Sequence, residues 1–300
     1  MFLASCDTKP EKPLLLGAWT PNVPWNTAAF DDITSITQHR LNIIHWYQGW
    51  GAPDAPWDVS VVLSVSRRGY LPMITWEPWD YTQGIDQPEY RLSNIAAGNF
   101  DAYIRGWAQG AKAYGEPIYL RFAHEMNYSN YPWSAGVNGN TAEDYIAAWH
   151  HVHTIFQEEG AINAVWVWSP GVSYQGTTAL SLLYPGDDYV DILALDGYNG
   201  GTELPWGGWK SLEEIFWPSY LEVAGMSAKP IMIAETASVE AGGSKAQWIR
   251  EAITAIRYRF PRIVALVWFN ENREADWRLN SSPASLEAFL EVAALTGGSW

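Results

Sequence analysis

Two glutamates of this chain lie directly after runs of apolar residues, where an isolated carboxyl group is costly to keep. Glu125 follows the run Ile118–Ala123 and one histidine, and Glu235 follows the run Pro230–Ala234. A buried carboxylate must be paired or hydrogen-bonded. One explanation is a structural ion pair, for which Arg121 is a candidate partner. The other is chemical, because two carboxyl groups in one site can act as proton donor and nucleophile.

Further polar residues end the same kind of run. His124 and Asn127 flank Glu125, and their imidazole and amide groups can contact substrate hydroxyls or the carboxyl itself. Asp196 and Tyr198 follow another apolar run, and we expect Asp196, together with Arg121, to bind substrate. We expect the Tyr198 hydroxyl to donate a hydrogen bond to the second glutamate and to hold it ionised.

The elements that carry these residues recur along the chain as a short apolar run, a loop rich in Trp, Gly and Asn, and a helical pattern. The runs lack strict polar alternation, as expected for parallel strands buried on both faces. Eight such units in 300 residues predict the α/β class and a single-domain (β/α)8 barrel, with a doubly wound sheet as the alternative. The runs are Leu14–Ala18, Leu41–Trp46, Leu71–Trp76, Ile118–Ala123, Ala164–Trp168, Val190–Leu195, Pro230–Ala234 and Ile263–Trp268.

Two helix starts can be predicted as well. Ser244 to Gln247 has the spacing of a capping box, and Asn140-Thr141 precedes apolar residues at helical spacing. We predict a polar tail at residues 1–13 and the barrel at residues 14–300.

In such a barrel the functional residues lie on the loops after the carboxyl ends of the strands. Glu125 ends the fourth run and Glu235 the seventh, so they are expected almost opposite each other across the barrel mouth. Two carboxyl groups there can flank one glycosidic bond, one protonating the leaving oxygen and the other attacking the anomeric carbon. A retaining mechanism needs them about 5–5.5 Å apart.

Aromatic residues are the strongest feature of the composition, with 19 Trp, 16 Tyr and 9 Phe. Flat apolar rings suit the C–H faces of sugars. We expect Trp76, Trp133 and Trp168 to bind substrate and Trp268 to form the floor of the site. The positions of seven tryptophans beside Pro, Gly and Asn predict exposed rings: Trp25, Trp50, Trp57, Trp79, Trp133, Trp206 and Trp209.

Charge and cysteine content exclude several classes of protein. The formal net charge of −15 disfavours binding to nucleic acid or to an anionic membrane surface. The one cysteine, Cys6, excludes an internal disulfide framework and a multi-cysteine metal site. His124-Glu125 is not followed by the second histidine of a zinc-protease pattern, because Tyr128 stands there. We therefore expect no metal and no cofactor.

The residues Leu3 to Cys6 resemble the end of a bacterial lipoprotein signal, although the charged start and apolar stretch of such a signal are absent. This motif predicts a lipid anchor at Cys6 and an extracellular or cell-surface location. The alternative is a disordered polar tail.

The ordered set of motifs resembles glycoside hydrolase family 26 over essentially Leu14 to Val292. The set consists of His-Glu-Met-Asn at 124–127, Asp-Gly-Tyr-Asn at 196–199, Glu235 and Trp268. The resemblance implies a retaining (β/α)8 hydrolase that cuts β-linked polysaccharides by two displacement steps.

The same resemblance implies roles for individual residues. Glu125 matches the acid/base, Glu235 the nucleophile and Tyr198 the hydrogen-bond partner of the nucleophile. His124 and Trp268 match residues around the cleaved sugar.

The segment Tyr128–Asn140 departs from the Gly and Trp run that typically follows this motif in mannanases of the family. It is more similar to the branch acting on mixed-linkage β-1,3-1,4-glucan, with mannan, xylan or another β-glycan as alternatives. Two further classes are a non-catalytic glycan-binding lipoprotein and a barrel enzyme for phosphorylated metabolites. The latter is disfavoured because the loop Thr236–Gly243 carries no basic residue. We expect a monomer.

Overall fold

The computed structural model describes residues 13–51 and 56–296. All eight predicted runs contain β-strands, which pair in chain order into one closed parallel barrel, and the predicted fold class is therefore confirmed. Cys6 and the rest of the tail up to residue 12 lie outside the described residues, so the tail boundary and the lipid anchor stay predictions. The strands are β1 Leu15–Trp19, β2 Ile43–Gly49, β3 Leu71–Glu77, β4 Ile118–Phe122, β5 Ala164–Trp168, β6 Ile192–Asp196, β7 Ile231–Thr236 and β8 Ile263–Phe269.

Helices alternate with the strands and surround the barrel. Between β5 and β6, the described chain forms only two short 3-10 turns, Ser173–Gln175 and Leu180–Leu182, instead of the expected helix. A third 3-10 turn, Pro88–Tyr90, precedes α3. The helices are α1 Thr27–Ile36, α2 Val59–Ser66, α3 Leu92–Ala96, α4 Asp101–Tyr114, α5 Ala142–Glu159, α6 Leu212–Met226, α7 Lys245–Arg259 and α8 Pro283–Leu295.

The predicted helix starts coincide with real N-caps. The Ser244 hydroxyl accepts the backbone N–H of Gln247 at the start of α7. At the start of α5, Thr141 and Asp144 each accept the backbone N–H of the other, which is a complete capping box. These caps satisfy N–H groups that have no partner inside the helix.

Side-chain parity along each strand divides the core into two layers. One set of alternate residues fills the barrel interior, and it includes Met73, Val167 and Val267. The other set points outward and packs against the helices in a larger cluster. Parity therefore decides which residue at most strand ends enters the barrel mouth. On β7 the register shifts between Ile233 and Thr236, and Glu235 enters the mouth although it follows the inward-facing Ala234.

Within residues 13–51 and 56–296, no helix is long and apolar enough to span a bilayer. In the same part of the chain, no three His, Cys, Asp or Glu side chains are grouped so as to hold a metal ion.

Candidate active site

Glu125 and Glu235 converge at the barrel mouth. Both side chains line one cavity of about 680 Å³, formed at the carboxyl ends of the strands. The cavity also contains the hydroxyl-bearing rings of Tyr47 and Tyr198. The two glutamates are 110 positions apart in sequence, and closure of the barrel places them in one cleft.

Glu235 is held by three hydrogen-bond donors. The hydroxyl of Tyr47 donates to Oε1 at 2.7 Å, and the hydroxyl of Tyr198 donates to Oε2 at 2.6 Å. The Arg121 guanidinium donates to Oε1 as well. The expected bond from Tyr198 is therefore present, and the donors fix the orientation of the side chain of a residue that is only 5% exposed.

Arg121 holds a network beneath the cavity and does not reach its surface. It is fully buried and lies 3.5 Å from Asp196, whose two oxygens accept the Ser169 hydroxyl at 3.1 Å each. Burial opposes the charge of Arg121, but Asp196 and Glu235 outweigh it and raise its pKa. We expected Arg121 and Asp196 to bind substrate. Because both are fully buried, they position Glu235 instead.

Glu125 lies in a different environment from Glu235. Burial, and secondly the charge of Glu235, raise the pKa of Glu125 to about 8. Its backbone φ is +51°, and that of Ala123 is +47°, both in the left-handed region that is unfavourable for residues other than glycine. The Glu125 N–H donates to the Ser169 carbonyl at 2.7 Å, which fixes this turn to the end of β5. A glutamate held in this way keeps its proton at neutral pH.

His124 lies under the cavity as a neutral ring. Burial, and then the charge of Arg121, lower its pKa well below the usual value. Its ring packs on Tyr131 with 4.7 Å between the centroids. With 1% exposure, His124 supports the cleft wall and presents almost no surface to a substrate.

Asn127 is also buried and joins two loops. Its side chain accepts the N–H of Gly171 at 2.9 Å and donates to the carbonyl of the same residue at 3.0 Å. The residue that we expected to contact substrate therefore fixes the loop after β4 to the loop after β5.

None of the four tryptophans that we expected to bind substrate lines the central cavity. Trp76, Trp168 and Trp268 have the outward parity of their strands and lie between barrel and helices, with at most 2% exposure. Trp268 packs edge-on against Trp248 of α7 and donates to the carbonyl of residue 277. The floor position belongs to its inward neighbour Phe269, which lines the central cavity.

Trp133 is fully buried behind the cavity wall. It stacks on Tyr131 with 4.6 Å between the centroids and donates to the carbonyl of His124 at 2.6 Å. The large aromatic side chains here support the polar residues because their apolar area is better buried than exposed.

Sequence reasoning missed Tyr47 and Glu77, although both had a readable signal. Glu77 follows the apolar run of β3 just as the other two glutamates follow theirs, and Tyr47 has the same parity as the buried His45 on β2. Glu77 lines the central cavity, and burial raises its pKa to about 8.

Two further cavities extend the central one into a cleft. A cavity of about 390 Å³ shares Tyr47, Glu77 and Tyr81 with it, and a cavity of about 520 Å³ shares Glu125 and Tyr198. We call these the Glu77 cavity and the Glu125 cavity.

Exposed tryptophans line the outer two cavities. Trp25 lines the Glu77 cavity and is 52% exposed, whereas Trp206 lines the Glu125 cavity and is 48% exposed. Both were expected to be exposed. Trp50 is buried, contrary to expectation, because its ring fills the space beside Trp76. The remaining expected rings are half-buried, namely Trp57, Trp79 and Trp209.

A closed eight-stranded parallel barrel with glutamates after β4 and at the end of β7 in one cleft defines the chain as a barrel of the glycosidase class. The chain belongs to glycosyl hydrolase family 26, whose family model matches residues 31–261. The resemblance noted in the sequence is therefore confirmed.

Curated relatives and solved structures agree with this assignment. The chain is 42% identical over 283 residues to "Endoglucanase H" of Acetivibrio thermocellus, covering 93% of this chain and 30% of the relative. It is 30% identical over 175 residues to "Mannan endo-1,4-beta-mannosidase A and B" of Caldalkalibacillus mannanilyticus, covering 55% of this chain and 31% of the relative. The chain thus spans about a third of each relative's length.

Among solved structures, the fold is similar to the catalytic domain of the Bacillus sp. JAMB-750 family 26 endo-β-1,4-mannanase. The TM-score is 0.72 at 19% identity, over 96% of this chain and 87% of that one. At this identity the likeness shows a shared fold.

Proposed function

We propose that this chain is a retaining, endo-acting β-glycanase that hydrolyses mixed-linkage β-1,3-1,4-glucan. The single observation that carries the proposal is the shared cavity, in which Glu125, with its raised pKa, accompanies Glu235, held by three donors. Family membership supports the reaction class. The 42% identity to a relative named Endoglucanase H, and the departure after residue 127, support a glucan substrate.

In the first step, the proton of Glu125 passes to the glycosidic oxygen as its bond to the anomeric carbon breaks. An oxygen of Glu235 forms a bond to the same carbon, which gives a covalent glycosyl ester. Tyr47, Tyr198 and Arg121 hold the attacking carboxylate in place.

In the second step, a water molecule attacks the anomeric carbon, the ester bond breaks, and Glu125 takes the proton of the water. Esterification removes the charge of Glu235, and that charge is one cause of the raised pKa of Glu125. The pKa of Glu125 therefore falls when it must act as a base.

The cavities give the cleft a direction. Glu125 borders the Glu125 cavity, whereas Glu235 does not. Since the acid must reach the leaving oxygen, the leaving part of the chain lies in that cavity, and the part bonded to Glu235 extends toward the Glu77 cavity. Exposed aromatic rings on both sides of the glutamates support cleavage within a chain.

An endo-β-1,4-mannanase on the same scaffold is the second candidate. It is favoured by the similarity to the relative named mannan endo-1,4-β-mannosidase over 175 residues.

The test is hydrolysis of barley β-glucan, lichenan, galactomannan and xylan side by side by the purified protein. We expect the fastest release of reducing sugar from the two glucans, with long oligosaccharides among the early products. Proton NMR should show the β-anomer first. An α-anomer formed first would disprove the retaining mechanism, and faster release from galactomannan would favour the second candidate.

Two variants test the roles of the glutamates. Glu235→Ala should abolish turnover of polysaccharide, and full activity in it would refute the assignment of the nucleophile. Glu125→Ala should slow turnover strongly and be rescued by azide on substrates with an activated leaving group, because such groups leave without a proton. Glu116→Ala, at an exposed position far from the cleft, is the matched control.

A wild-type protein that binds glucan tightly without releasing sugar would instead be the non-catalytic glycan-binding lipoprotein.

We also propose that the protein acts outside the cell, held by a lipid on Cys6. The support is the motif Leu3–Cys6 and a polymeric substrate too large to be taken up intact. Labelled palmitate should be incorporated in a bacterial host and lost in Cys6→Ala. Labelling of neither protein would contradict the anchor.

A further inference from the structure

A third carboxyl group, Glu77 at the end of β3, lies in the cleft and has no part in the mechanism above. Its side chain is buried, and it borders both the central cavity and the Glu77 cavity. The indole N–H of Trp79 donates to Oε2 at 3.2 Å. The other oxygen, Oε1, lies 3.9 Å from Nδ1 of His124, which is too far for a hydrogen bond.

This corner of the cleft is incompletely satisfied. Nδ1 of His124 is buried without a hydrogen-bond partner in the described part of the chain, and it faces Oε1 of Glu77, whose side chain borders two cavities. A buried polar group without a partner costs about 1–3 kcal/mol. Glu77 presents its carboxyl group to the cavity, where a ligand hydroxyl can hydrogen-bond to it.

Aromatic rings line the same space. Trp25 and Tyr81 are 52% and 47% exposed, and both line the Glu77 cavity. A Cβ atom added at Gly49 would lie 3.0 Å from the Tyr81 ring, so glycine at the end of β2 lets this ring lie close to the strand. Apolar rings around one buried polar group form the usual environment of a small-molecule site.

The cavity is also connected to the proposed nucleophile. The ring of Tyr47 lines the Glu77 cavity, and its hydroxyl donates to Glu235. Glu125 lies outside this cavity. A sugar bound here therefore belongs to the part of the chain that stays on the enzyme during the first step.

We propose that the Glu77 cavity is a glucosyl-binding subsite on the side of the cleft away from the leaving group, in which Glu77 binds the sugar hydroxyls and sets the preference for substrates long enough to fill it. This inference rests on the proposed function and names a binding residue for it.

The experiment uses aryl β-glucosides with one, two and three sugars and compares kcat/KM in the wild type, Glu77→Ala and Glu77→Gln. In the wild type, kcat/KM should rise as the added sugars fill the subsite. Glu77→Ala should lose about tenfold of that rise, the effect of one hydrogen bond whose buried partner is left unsatisfied. The loss should fall mainly on KM, and the one-sugar substrate should change little.

Glu77→Gln keeps the size of the side chain and its ability to donate and accept, so it should restore most of the gain with sugar number. Glu271→Ala is the matched control, because Glu271 is a half-buried carboxyl with an unpartnered oxygen and lines none of the three cavities. It should leave the rise with sugar number unchanged.

Two results would overturn the inference. An equal loss on all three substrates in Glu77→Ala would show that Glu77 acts on the reacting groups or the fold, and an unchanged rise would show that no sugar uses it. Both differ from a failure of the proposed function, in which the wild type itself cleaves none of the β-glucosides or polysaccharides.

Discussion

The carboxyl group of Glu125 should titrate near pH 8 in the free protein. Burial comes first among the causes, and the charge of Glu235 second. At pH 7, a carboxyl with a pKa of about 8 is about 90% protonated, whereas one with a pKa of about 4.5 is about 0.3% protonated. The environment therefore increases the proton-donor form of Glu125 about 300-fold.

The perturbation is Glu235→Gln, which removes the neighbouring charge and keeps the size of the side chain. The pKa of Glu125 should fall by about one to two pH units, since a like charge in a buried site disfavours ionisation. Carbon-13 NMR of protein labelled at the glutamate carboxyl groups measures this titration directly, and Glu125→Gln assigns the signal. Glu116→Gln, at an exposed position, should leave the titration where it is in the wild type.

The alkaline limb of the activity profile of the wild type should follow the same titration, because ionised Glu125 has no proton to donate. A Glu125 signal that titrates near 4.5 in the wild type would refute the electrostatic assignment of the acid. An unchanged titration in Glu235→Gln would show that the two carboxyl groups do not interact, and the shared cavity would then carry no mechanism.

Three further predictions follow from the contacts. Tyr198→Phe removes a 2.6 Å bond to the proposed nucleophile and should lower kcat by about tenfold to a hundredfold in steady-state assays, as expected for a bond to a charged group; an unchanged kcat would contradict this role. The pKa of Glu77 is raised from 4.5 to about 8, so the folded state binds the extra proton between these values and its stability falls as pH rises through them, by at most about 5 kcal/mol. The free energy of unfolding, measured with urea at pH 5 and pH 9, should fall less between these pH values in Glu77→Gln than in the wild type. In Glu116→Gln it should fall as it does in the wild type. Gly201→Ala should destabilise the protein by about 2–4 kcal/mol, because its φ is +52° and its Cβ would lie 1.9 Å from a backbone oxygen; Gly225→Ala, on an open face of α6, should be neutral or slightly stabilising in the same thermal unfolding assay.

The barrel and the pair of glutamates could be predicted from sequence because both depend on local signals. An apolar run that is buried on both faces predicts a strand wherever it stands in the chain. A glutamate directly after such a run predicts a functional residue at the end of that strand. The two signals combine through the topology of the barrel, which places β4 and β7 around one mouth. The bond from Tyr198 to Glu235 follows, because β6 pairs with β7.

The positions of the tryptophans could not be predicted in the same way. A strand that is apolar on both faces does not reveal which alternate residues point inward. Trp76 and Glu77 are neighbours at the end of β3, and only one of them can enter the mouth. The same ambiguity affects Trp268 and Phe269 on β8. The contact of Tyr47 with Glu235 spans 188 positions, so no local pattern indicates it.

Strand β4 and its loop supply both a cation, Arg121, and a protonated acid, Glu125, to one site. Arg121 points into the barrel and binds Glu235, and the chain then turns through the left-handed backbone of Ala123 and Glu125. The charge of Arg121 lowers the pKa of Glu125, but burial and the charge of Glu235 raise it by more. The Arg121 guanidinium forms its ion pairs with Asp196 and Glu235, and Glu125 makes none with it. One short segment, which turns through left-handed backbone at Ala123 and Glu125, therefore holds the nucleophile by its counter-charge and also carries the acid that burial and Glu235 keep protonated.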